Sequence, residues 1–377
     1  MLEIKKKNKA DVNFKMTSAI QKEIDISWQT LHSHIEHNFE NKKVIIFADS
    51  KVFNFNQDYF LNLEKNNDNL NIFPTNVAEE TKDITSLISC LERIENVGLA
   101  RRNEGLYALG GGALMDLVAM AGSIYRRGIK VIKVPTTLLG FVDASIGIKT
   151  GVNFLGQRNR AGTYNLNFDV ILDSSFLKTV SKDQLREGLG EIFKIAIIKS
   201  KNLFNLLEKN SEKIFDPLFY SNAEGKEIIN ESIRLMLEEL HDNPTEENLK
   251  RCVDFGHTFS PLTEMKSIEF DSANSLPHGL SVGADCIITA IIARNKGLLN
   301  ENDVERIKVL GSCIGFQFDH KMYERNDIMW SSMLEMKKHR AGNLNLPYPV
   351  EIGSYDFIQE LEYAELEEAT KEFRKIK

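Results

Sequence analysis

The first half of the 377-residue chain alternates short apolar runs with amphipathic segments, and this alternation constrains the fold more than any other feature. Strand-like runs lie at 43–48, 106–109, 131–134 and 170–172, with helical patterns between some of them, such as 83–96 and 113–121. Such alternation favours a mostly parallel sheet that binds ligands at the carboxyl ends of its strands. The pattern predicts an α/β domain over residues 1–180.

After residue 180 the pattern changes to long amphipathic or apolar helices. They are predicted at 182–200, 226–241, 249–266 and 278–296, with no strand among them. The length of the chain also favours two domains. An all-α C-terminal domain is therefore predicted over residues 181–377.

Composition excludes several classes of function. A net charge of -7 disfavours nucleic-acid binding, which needs clustered cations, and no window has 18 uninterrupted apolar residues that would span a membrane. The N-terminus is polar and lacks the apolar core of a signal peptide. The four cysteines are scattered without a C-x-x-C pair, which is typical of a reducing compartment. These features predict a cytoplasmic protein.

A glycine run at 110–112 follows a predicted strand and opens a predicted helix, with Asp116 one turn later. Consecutive glycines let the backbone approach a pyrophosphate, and a helix N-terminus favours its negative charge. The alternative is a tight strand-to-helix turn with no ligand. Asp49, at the end of another strand, either binds a ribose hydroxyl or caps the loop. His32, His34 and His37, near the N-terminus, are predicted to face solvent.

Glu191 and Lys194 are three residues apart on a predicted helix and share one face. His257 lies in a polar-aromatic stretch and His278 follows a proline at the start of a helix. One carboxylate and two imidazoles form a plausible catalytic zinc set with positions left for substrate oxygens. The alternatives are a surface ion pair between Glu191 and Lys194 and a helix-capping role for His278.

Four motifs in order carry a resemblance to a known family: 110–116 (GGGALMD), 125–128 (YRRG), 134–139 (VPTTLL) and 142–150 (VDASIGIKT). Together they resemble dehydroquinate synthase and its relatives over about forty residues, and later motifs extend the match to most of the chain. The resemblance implies a Rossmann-like NAD-binding domain followed by a helical metal- and substrate-binding domain. It also implies a homodimer that acts on a phosphorylated sugar.

The resemblance also implies site residues. It assigns NAD binding to Asp49, Glu79, Lys82, Gly110, Gly111, Gly112, Asp116, Thr136, Thr137, Arg158, Phe176 and Thr179. It assigns one divalent metal, zinc or cobalt, to Glu191, His257 and His278. It assigns catalytic roles to Asp143, Lys149 and Lys194, and substrate binding to Arg127, Asn159, Lys250, Asp254 and His339. Arg127 is implied to contact the phosphate across the dimer interface.

Two stretches, 151–164 and 254–261, are similar to one branch of the family, the sedoheptulose 7-phosphate cyclases typified by 2-epi-5-epi-valiolone synthase. Asp254 stands where dehydroquinate synthase has Asn, and Pro261 stands where it has a second His. Losing polar contacts fits a substrate that lacks the carboxylate of the shikimate precursor. Lys250 lies at a position that varies with the product.

The implied reaction converts sedoheptulose 7-phosphate to 2-epi-5-epi-valiolone or a stereoisomer, through transient NAD reduction, phosphate elimination, return of the hydride and aldol closure. Alternatives within the family are a 3-dehydroquinate synthase and a cyclase similar to 2-deoxy-scyllo-inosose synthase. A metal-dependent NAD polyol dehydrogenase would normally begin its ligand set with Asp, where this chain has Glu191. A catalytically silent metabolite-binding protein would not need Asp143, Lys149, Glu191, Lys194, His257 and His278 all intact.

Overall fold

A computed structural model describes residues 2–6, 12–17 and 23–376. The strands of its N-terminal part are β1 (Leu2–Lys6), β2 (Val12–Thr17), β3 (Glu23–Trp28), β4 (Val44–Asp49), β5 (Leu70–Thr75), β6 (Gly105–Gly110), β7 (Val131–Pro135), β8 (Lys149–Phe154), β9 (Gln157–Tyr164) and β10 (Phe168–Leu172). Among these described strands, eight form one sheet in the order β1-β2-β3-β10-β7-β6-β4-β5, while β8 and β9 form a separate antiparallel hairpin. From β3 to β5 all neighbours are parallel, which confirms the predicted sheet.

The central strands are apolar because helices cover both faces of a parallel sheet. Val44, Ile46, Tyr107, Val134 and Ile171 all belong to its buried core. Strands β4, β6, β7 and β10 coincide with the predicted runs. Strands β1, β2, β3 and β9 were not predicted from the sequence. Most residues of β9 are exposed and follow no apolar period.

The helices are α1 (Leu31–Phe39), α2 (Ser50–Phe55), α3 (Gln57–Lys65), α4 (Ile84–Val97), α5 (Gly112–Ile124), α6 (Lys182–Lys199), α7 (Lys201–Lys209), α8 (Ala223–Asp242), α9 (Ser260–Phe270), α10 (His278–Asn295), α11 (Glu301–Ile314), α12 (Asn326–His339) and α13 (Tyr363–Phe373). A π-helical turn, Gly140–Ala144, follows β7. Within the described ranges, no helix is both long enough and apolar enough to cross a membrane.

Contacts divide the chain into two units, one of residues 1–181 and 220–245 and the other of 182–219 and 246–377. The change at 181/182 lies beside the boundary expected from the sequence, but α8 belongs to the first unit rather than to a C-terminal domain. It packs on the π-helical turn and on β2, and the Trp28 indole donates to Asn230 Oδ1 at 2.7 Å. Helical periodicity alone does not reveal which neighbours a helix contacts.

The second unit is mainly helical, but it is not all-helical as expected. Strands β11 (Leu346–Glu351) and β12 (Ser354–Ile358) form an antiparallel hairpin. Prolines at 347 and 349 hid β11, because proline is rare inside strands. The helix expected from residue 249 begins only at Ser260, since Gly256 has a φ of +77° and Pro261 lies in the first turn of α9.

Candidate active site

The second unit brings α6 and α10 into backbone contact at two glycines. A Cβ on Gly190 would lie 2.0 Å from the carbonyl oxygen of Gly279, and a Cβ on Gly279 would lie 2.0 Å from that of Glu187. Only glycine permits this approach. Glu191 follows Gly190, and His278 precedes Gly279, so the contact sets the carboxylate beside the imidazole.

Glu191, His257 and His278 converge, as the family resemblance implied. Their ligand-type atoms all lie within 4.8 Å of one another. Glu191 Oε1 is 3.3 Å from His278 Nε2 and 3.6 Å from His257 Nε2. The three residues come from α6, from the turn before α9 and from the first residue of α10. His278 faces the cluster, which makes the capping alternative wrong.

Each imidazole is oriented through its Nδ1. His278 Nδ1 lies 3.0 Å from Glu264 Oε2, and His257 Nδ1 lies 3.3 Å from the carbonyl oxygen of Phe255. These acceptors assign the proton to Nδ1 and turn both Nε2 atoms toward Glu191. A carboxylate behind a ligating histidine is the arrangement that orients metal ligands in proteins.

The cluster is strongly polarised, with Glu191 buried and the two imidazoles partly exposed. Burial and Lys194 lower the pKa of His257 to about 4, so its imidazole is neutral at pH 7. Burial opposes charge on His278, but the carboxylates of Glu191 and Glu264 outweigh it and raise the pKa of His278 to about 10. For Glu191, burial is likewise outweighed, because Lys194 and the two histidines hold its pKa well below the usual range.

Lys194 Nζ lies 2.5 Å from Glu191 Oε2, and both side chains are at most 4% exposed. The alternative of a surface ion pair is therefore wrong, since a solvated pair would leave both groups accessible. A buried pair of this kind keeps Glu191 ionised and anionic.

The residues present fit a divalent metal. Glu191 Oε1 is buried and accepts no hydrogen bond of regular geometry from the described residues. An ionised carboxylate facing two imidazole Nε2 atoms is a common zinc donor set. Three protein ligands leave coordination positions for substrate.

Three residues of the second unit were also predicted to bind substrate, and their surroundings differ: Asp254, Lys250 and His339. Asp254 is buried, with Oδ2 3.2 Å from Arg340 Nη2 and Oδ1 paired with Arg251. Lys250 is exposed and lies over the Phe357 ring, 4.5 Å from its centroid. His339 is exposed at the end of α12. The observed contacts of Asp254 link the turn before His257 to the chain after α12.

In the first unit, the predicted glycine loop joins β6 to α5. Gly110 ends the strand, Gly111 is the N-cap, and no side chain caps the helix. A Cβ on Gly111 would meet nothing within 4 Å, so there is open space beside the uncapped N–H groups. This arrangement fits a pyrophosphate at a helix N-terminus.

Charged residues predicted to bind NAD surround this loop. Lys82, 1% exposed, has its Nζ 2.8 Å from Asp116 Oδ2 and 3.2 Å from Glu79 Oε1. Arg158 Nε lies 3.6 Å from the same Glu79 oxygen. Asp49 caps α2 through Oδ1, which accepts from two backbone N–H groups at 2.9 and 3.2 Å. The capping alternative therefore holds for one of its carboxylate oxygens.

Four further residues were predicted to bind NAD: Thr136, Thr137, Phe176 and Thr179. The Thr136 N–H donates to the carbonyl of Gly110 at 3.1 Å, and Thr137 Oγ1 accepts from the Gly140 N–H at 3.1 Å. The Phe176 ring is buried in the sheet core, and Thr179 is exposed. Any contact of Phe176 with NAD must therefore come from its backbone.

Asp116, Lys149 and Asn159 line one cavity of about 290 Å³ in the first unit. Asp143 lies on the π-helical turn, a feature frequent at functional sites. Asn159 has a φ of +50°, and its N–H donates to Asn153 Oδ1 at 3.0 Å. Arg127 is exposed, outside the residues that line this cavity, and has a φ of +65°.

Sequence reasoning missed three charged residues that support these sites: Asp285 and Lys133, which are buried, and Glu264, whose side chain is 12% exposed. It was also wrong about His34, which is buried and has its Nδ1 2.7 Å from the Tyr107 hydroxyl. Asp285 is the one acid in the apolar run of α10, and a lone acid in such a run signals a buried, partnered charge. Glu264 and Lys133 had no comparable signal.

Residues 72–187 match the family model for the 3-dehydroquinate synthase N-terminal domain, and 188–339 match that for the C-terminal domain. The chain is 40% identical over 298 residues to a 2-epi-5-epi-valiolone synthase from Streptomyces albus, covering 78% of this chain and 71% of the relative. It is 34% identical over 316 residues to a demethyl-4-deoxygadusol synthase from Trichormus variabilis, covering 81% and 75%.

The fold matches the solved structure of ValA, a 2-epi-5-epi-valiolone synthase from Streptomyces hygroscopicus with NAD⁺ and Zn²⁺ bound. The TM-score is 0.83 at 30% identity, and the match covers 93% of this chain and 96% of that chain. This likeness confirms the predicted fold class, an α/β nucleotide-binding domain followed by a helical domain.

Proposed function

The chain belongs to the 3-dehydroquinate synthase-like family, and from this membership we propose that it is a sugar phosphate cyclase. The proposed reaction converts sedoheptulose 7-phosphate to a C7 cyclitol, 2-epi-5-epi-valiolone or a stereoisomer, and releases phosphate. The observation that carries the proposal is the 40% identity to a 2-epi-5-epi-valiolone synthase over most of both chains. The protein is then a carbon–oxygen lyase.

Two groups would be held by residues of this chain. Glu191, His257 and His278 would bind zinc or cobalt, and the glycine loop with its charged neighbours would bind NAD. When bound, NAD supplies a reversible hydride acceptor, and the metal supplies a Lewis acid for substrate oxygens. The NAD⁺ and Zn²⁺ bound by ValA support this assignment.

The chain's own groups would bind and orient the substrate. The buried ammonium of Lys194 keeps Glu191 anionic and would donate hydrogen bonds to substrate hydroxyls. Lys149 and Asn159, which share a cavity, would hold the phosphate. Asp143 would orient the sugar from the π-helical turn. A phosphate held in this way would itself take the neighbouring proton, so no dedicated protein base is required.

Arg127 would complete the phosphate site in a homodimer. Its side chain is exposed, and the left-handed backbone at Arg126 and Arg127 is costly for residues with a Cβ. Strain of this kind concentrates at ligand clamps. We infer that Arg127 contacts the phosphate bound to the partner subunit. Light scattering should then give a dimer mass, and Arg127→Ala should raise KM for the sugar phosphate while leaving the dimer intact.

A cytoplasmic location is proposed from the thiols. Cys90, Cys252 and Cys286 are buried, and Cys313 is an exposed free thiol. An exposed free thiol is more common in reducing compartments than in secreted proteins.

The reaction is tested by incubating the purified protein with sedoheptulose 7-phosphate, catalytic NAD and zinc or cobalt. Phosphate release and a carbocyclic product should be seen by NMR with no net NADH. Lys194→Met should abolish turnover. Lys371→Met is the matched control, because Lys371 forms an exposed pair with Glu367 on α13 and should leave turnover unchanged.

The rival activities give different results in the same assay. A dehydrogenase would convert the added NAD to NADH, stop when that NAD is consumed, and release no phosphate. A 3-dehydroquinate synthase would leave sedoheptulose 7-phosphate unchanged and turn over the carboxylated precursor. Failure of every sugar phosphate with the metal- and NAD-loaded protein would refute the cyclase assignment.

A further inference from the structure

Asp285, buried on α10, binds the start of a different helix. Its Oδ2 accepts from three consecutive backbone N–H groups, those of Thr258 at 2.9 Å, Phe259 at 2.6 Å and Ser260 at 2.9 Å. Its Oδ1 accepts from the Thr289 hydroxyl at 3.2 Å. One carboxylate therefore takes up most of the free donors at the N-terminus of α9.

Helix α9 has no cap of its own. Its N-cap residue, Phe259, offers no side-chain acceptor, and Pro261 contributes no N–H. The first N–H groups of a helix need acceptors when they are buried, and an anion is favoured there by the helix dipole. Asp285 supplies that anion from α10, a neighbouring helix, so the position of α9 depends on it.

The donors that Asp285 holds follow directly after His257. On the other side of His257, a Cβ on Gly256 would lie 2.8 Å from Cys286 Sγ and 2.9 Å from a methyl carbon of Val282. Both are side chains of α10. The turn that carries His257 is therefore fixed to α10 before and after the histidine.

Helices α9 and α10 each carry a carboxylate that supports the other helix. Helix α9 carries Glu264, whose carboxylate orients His278 at the start of α10. Helix α10 carries Asp285, whose carboxylate fixes the start of α9. Helix α9 thus orients His278, the first residue of α10, and helix α10 orients His257, which lies in the turn before α9.

We propose that Asp285 is a positioning residue for the metal centre, which sets the His257 imidazole against Glu191 through backbone 258–260. It does not touch the metal. The proposal requires that the cluster bind a divalent metal, as the proposed function does, but it does not require that the protein be a cyclase.

The test measures zinc affinity, by competition with a chromogenic chelator, for Asp285→Asn, Asp285→Ala and wild type, together with circular dichroism of the metal-free proteins. Loss of an outer partner of a ligating histidine typically weakens metal binding about 10- to 100-fold. Asp285→Ala should lie in that range, and Asp285→Asn should fall between it and wild type, because the amide oxygen still accepts.

Asp303→Asn is the matched control. Asp303 is also buried in the second unit, where its carboxylate accepts from Asn300 Nδ2 at 2.9 Å and from the Ile352 N–H at 3.4 Å. This variant should lower the melting temperature and leave zinc affinity unchanged.

The proposal is overturned if folded Asp285→Asn binds zinc as tightly as wild type. It is also overturned if Asp303→Asn weakens zinc equally, because the effect would then reflect general destabilisation. Should Asp285→Ala not fold, the Asn variant alone decides. Wild-type protein that binds zinc without turning over any sugar phosphate would refute only the cyclase.

Discussion

Gly190→Ala tests whether the backbone contact between α6 and α10 builds the metal centre. Alanine is a better helix former than glycine, so helix propensity alone would raise the unfolding free energy by about 1 kcal/mol. The added Cβ, however, would lie 2.0 Å from the Gly279 carbonyl oxygen. That contact involves rigid backbone on both sides, and relieving it requires the helices to move apart by about 1 Å.

A movement of that size exceeds what the ligand set tolerates. Glu191 is the next residue on α6, and its Oε1 lies only 3.3 Å from His278 Nε2 on α10. Metal–ligand distances are kept to within about 0.2 Å. We therefore expect zinc affinity to fall at least about tenfold, and overpacking to lower the unfolding free energy by about 1–3 kcal/mol.

Gly311→Ala, on α11, is the control. The Cβ added there would meet the Cδ1 methyl of Ile287 at 2.6 Å, the end of a side chain that can change rotamer. Chelator competition and thermal denaturation of both variants should show loss of zinc binding only for Gly190→Ala. A Gly190→Ala protein that is more stable than wild type and binds zinc normally would refute the reasoning.

Three further predictions concern single side chains. Asp49→Ala removes the N-cap of α2, so it should lower the unfolding free energy by about 1 kcal/mol and weaken NAD binding in a fluorescence titration. The control, Asp83→Ala, removes the N-cap of α4 and should lower the unfolding free energy equally but leave NAD affinity unchanged. Burial lowers the pKa of His34 to about 4. Below pH 6.5 the unfolded chain therefore binds a proton at His34 more readily than the folded chain does. Protonation of His34 should lower the unfolding free energy by about 3 kcal/mol between about pH 6.5 and pH 4. His34→Gln should lose less stability than wild type over that interval, and an equal loss would contradict the assignment. Glu191→Gln should weaken zinc binding by more than about 100-fold in equilibrium dialysis, because it replaces the one anionic ligand; unchanged binding would place the metal elsewhere.

The parts of the fold that the sequence predicted are those whose residues are buried on a regular period. Strand β4 is an unbroken apolar run, and α10 is apolar along nearly its whole length. Strand β9 is exposed and β11 contains two prolines, so neither has such a pattern. His34 shows the same limit, since a single imidazole in a short amphipathic helix carries no sign of the Tyr107 hydroxyl that it meets 73 positions later.

The candidate metal site was predictable because its ligands lie in short motifs, but its support was not. Asp285 accepts from the backbone of Thr258, Phe259 and Ser260, which lie 25 to 27 positions away in the sequence. Nearly every residue has a backbone N–H group, so the residue types at these positions do not indicate the contact. The glycines at 190 and 279 look like ordinary helix positions until the two backbones are seen in contact. Ligand identity is therefore a local property of the sequence, whereas ligand geometry arises from helix packing.

Without metal, the cluster of Glu191, His257 and His278 holds a proton that metal binding has to displace. With a pKa of about 10, His278 is protonated at neutral pH and places its charge between Glu191 and Glu264. His257, with a pKa of about 4, carries no competing proton above pH 5. Metal binding must therefore displace one proton, and zinc affinity should rise about tenfold per pH unit from pH 6.5 to 8.5. Chelator competition at three pH values measures this slope. If His278 instead titrated near its ordinary 6.5, the affinity would level off above pH 7.5, and the proton would not be held by the two carboxylates.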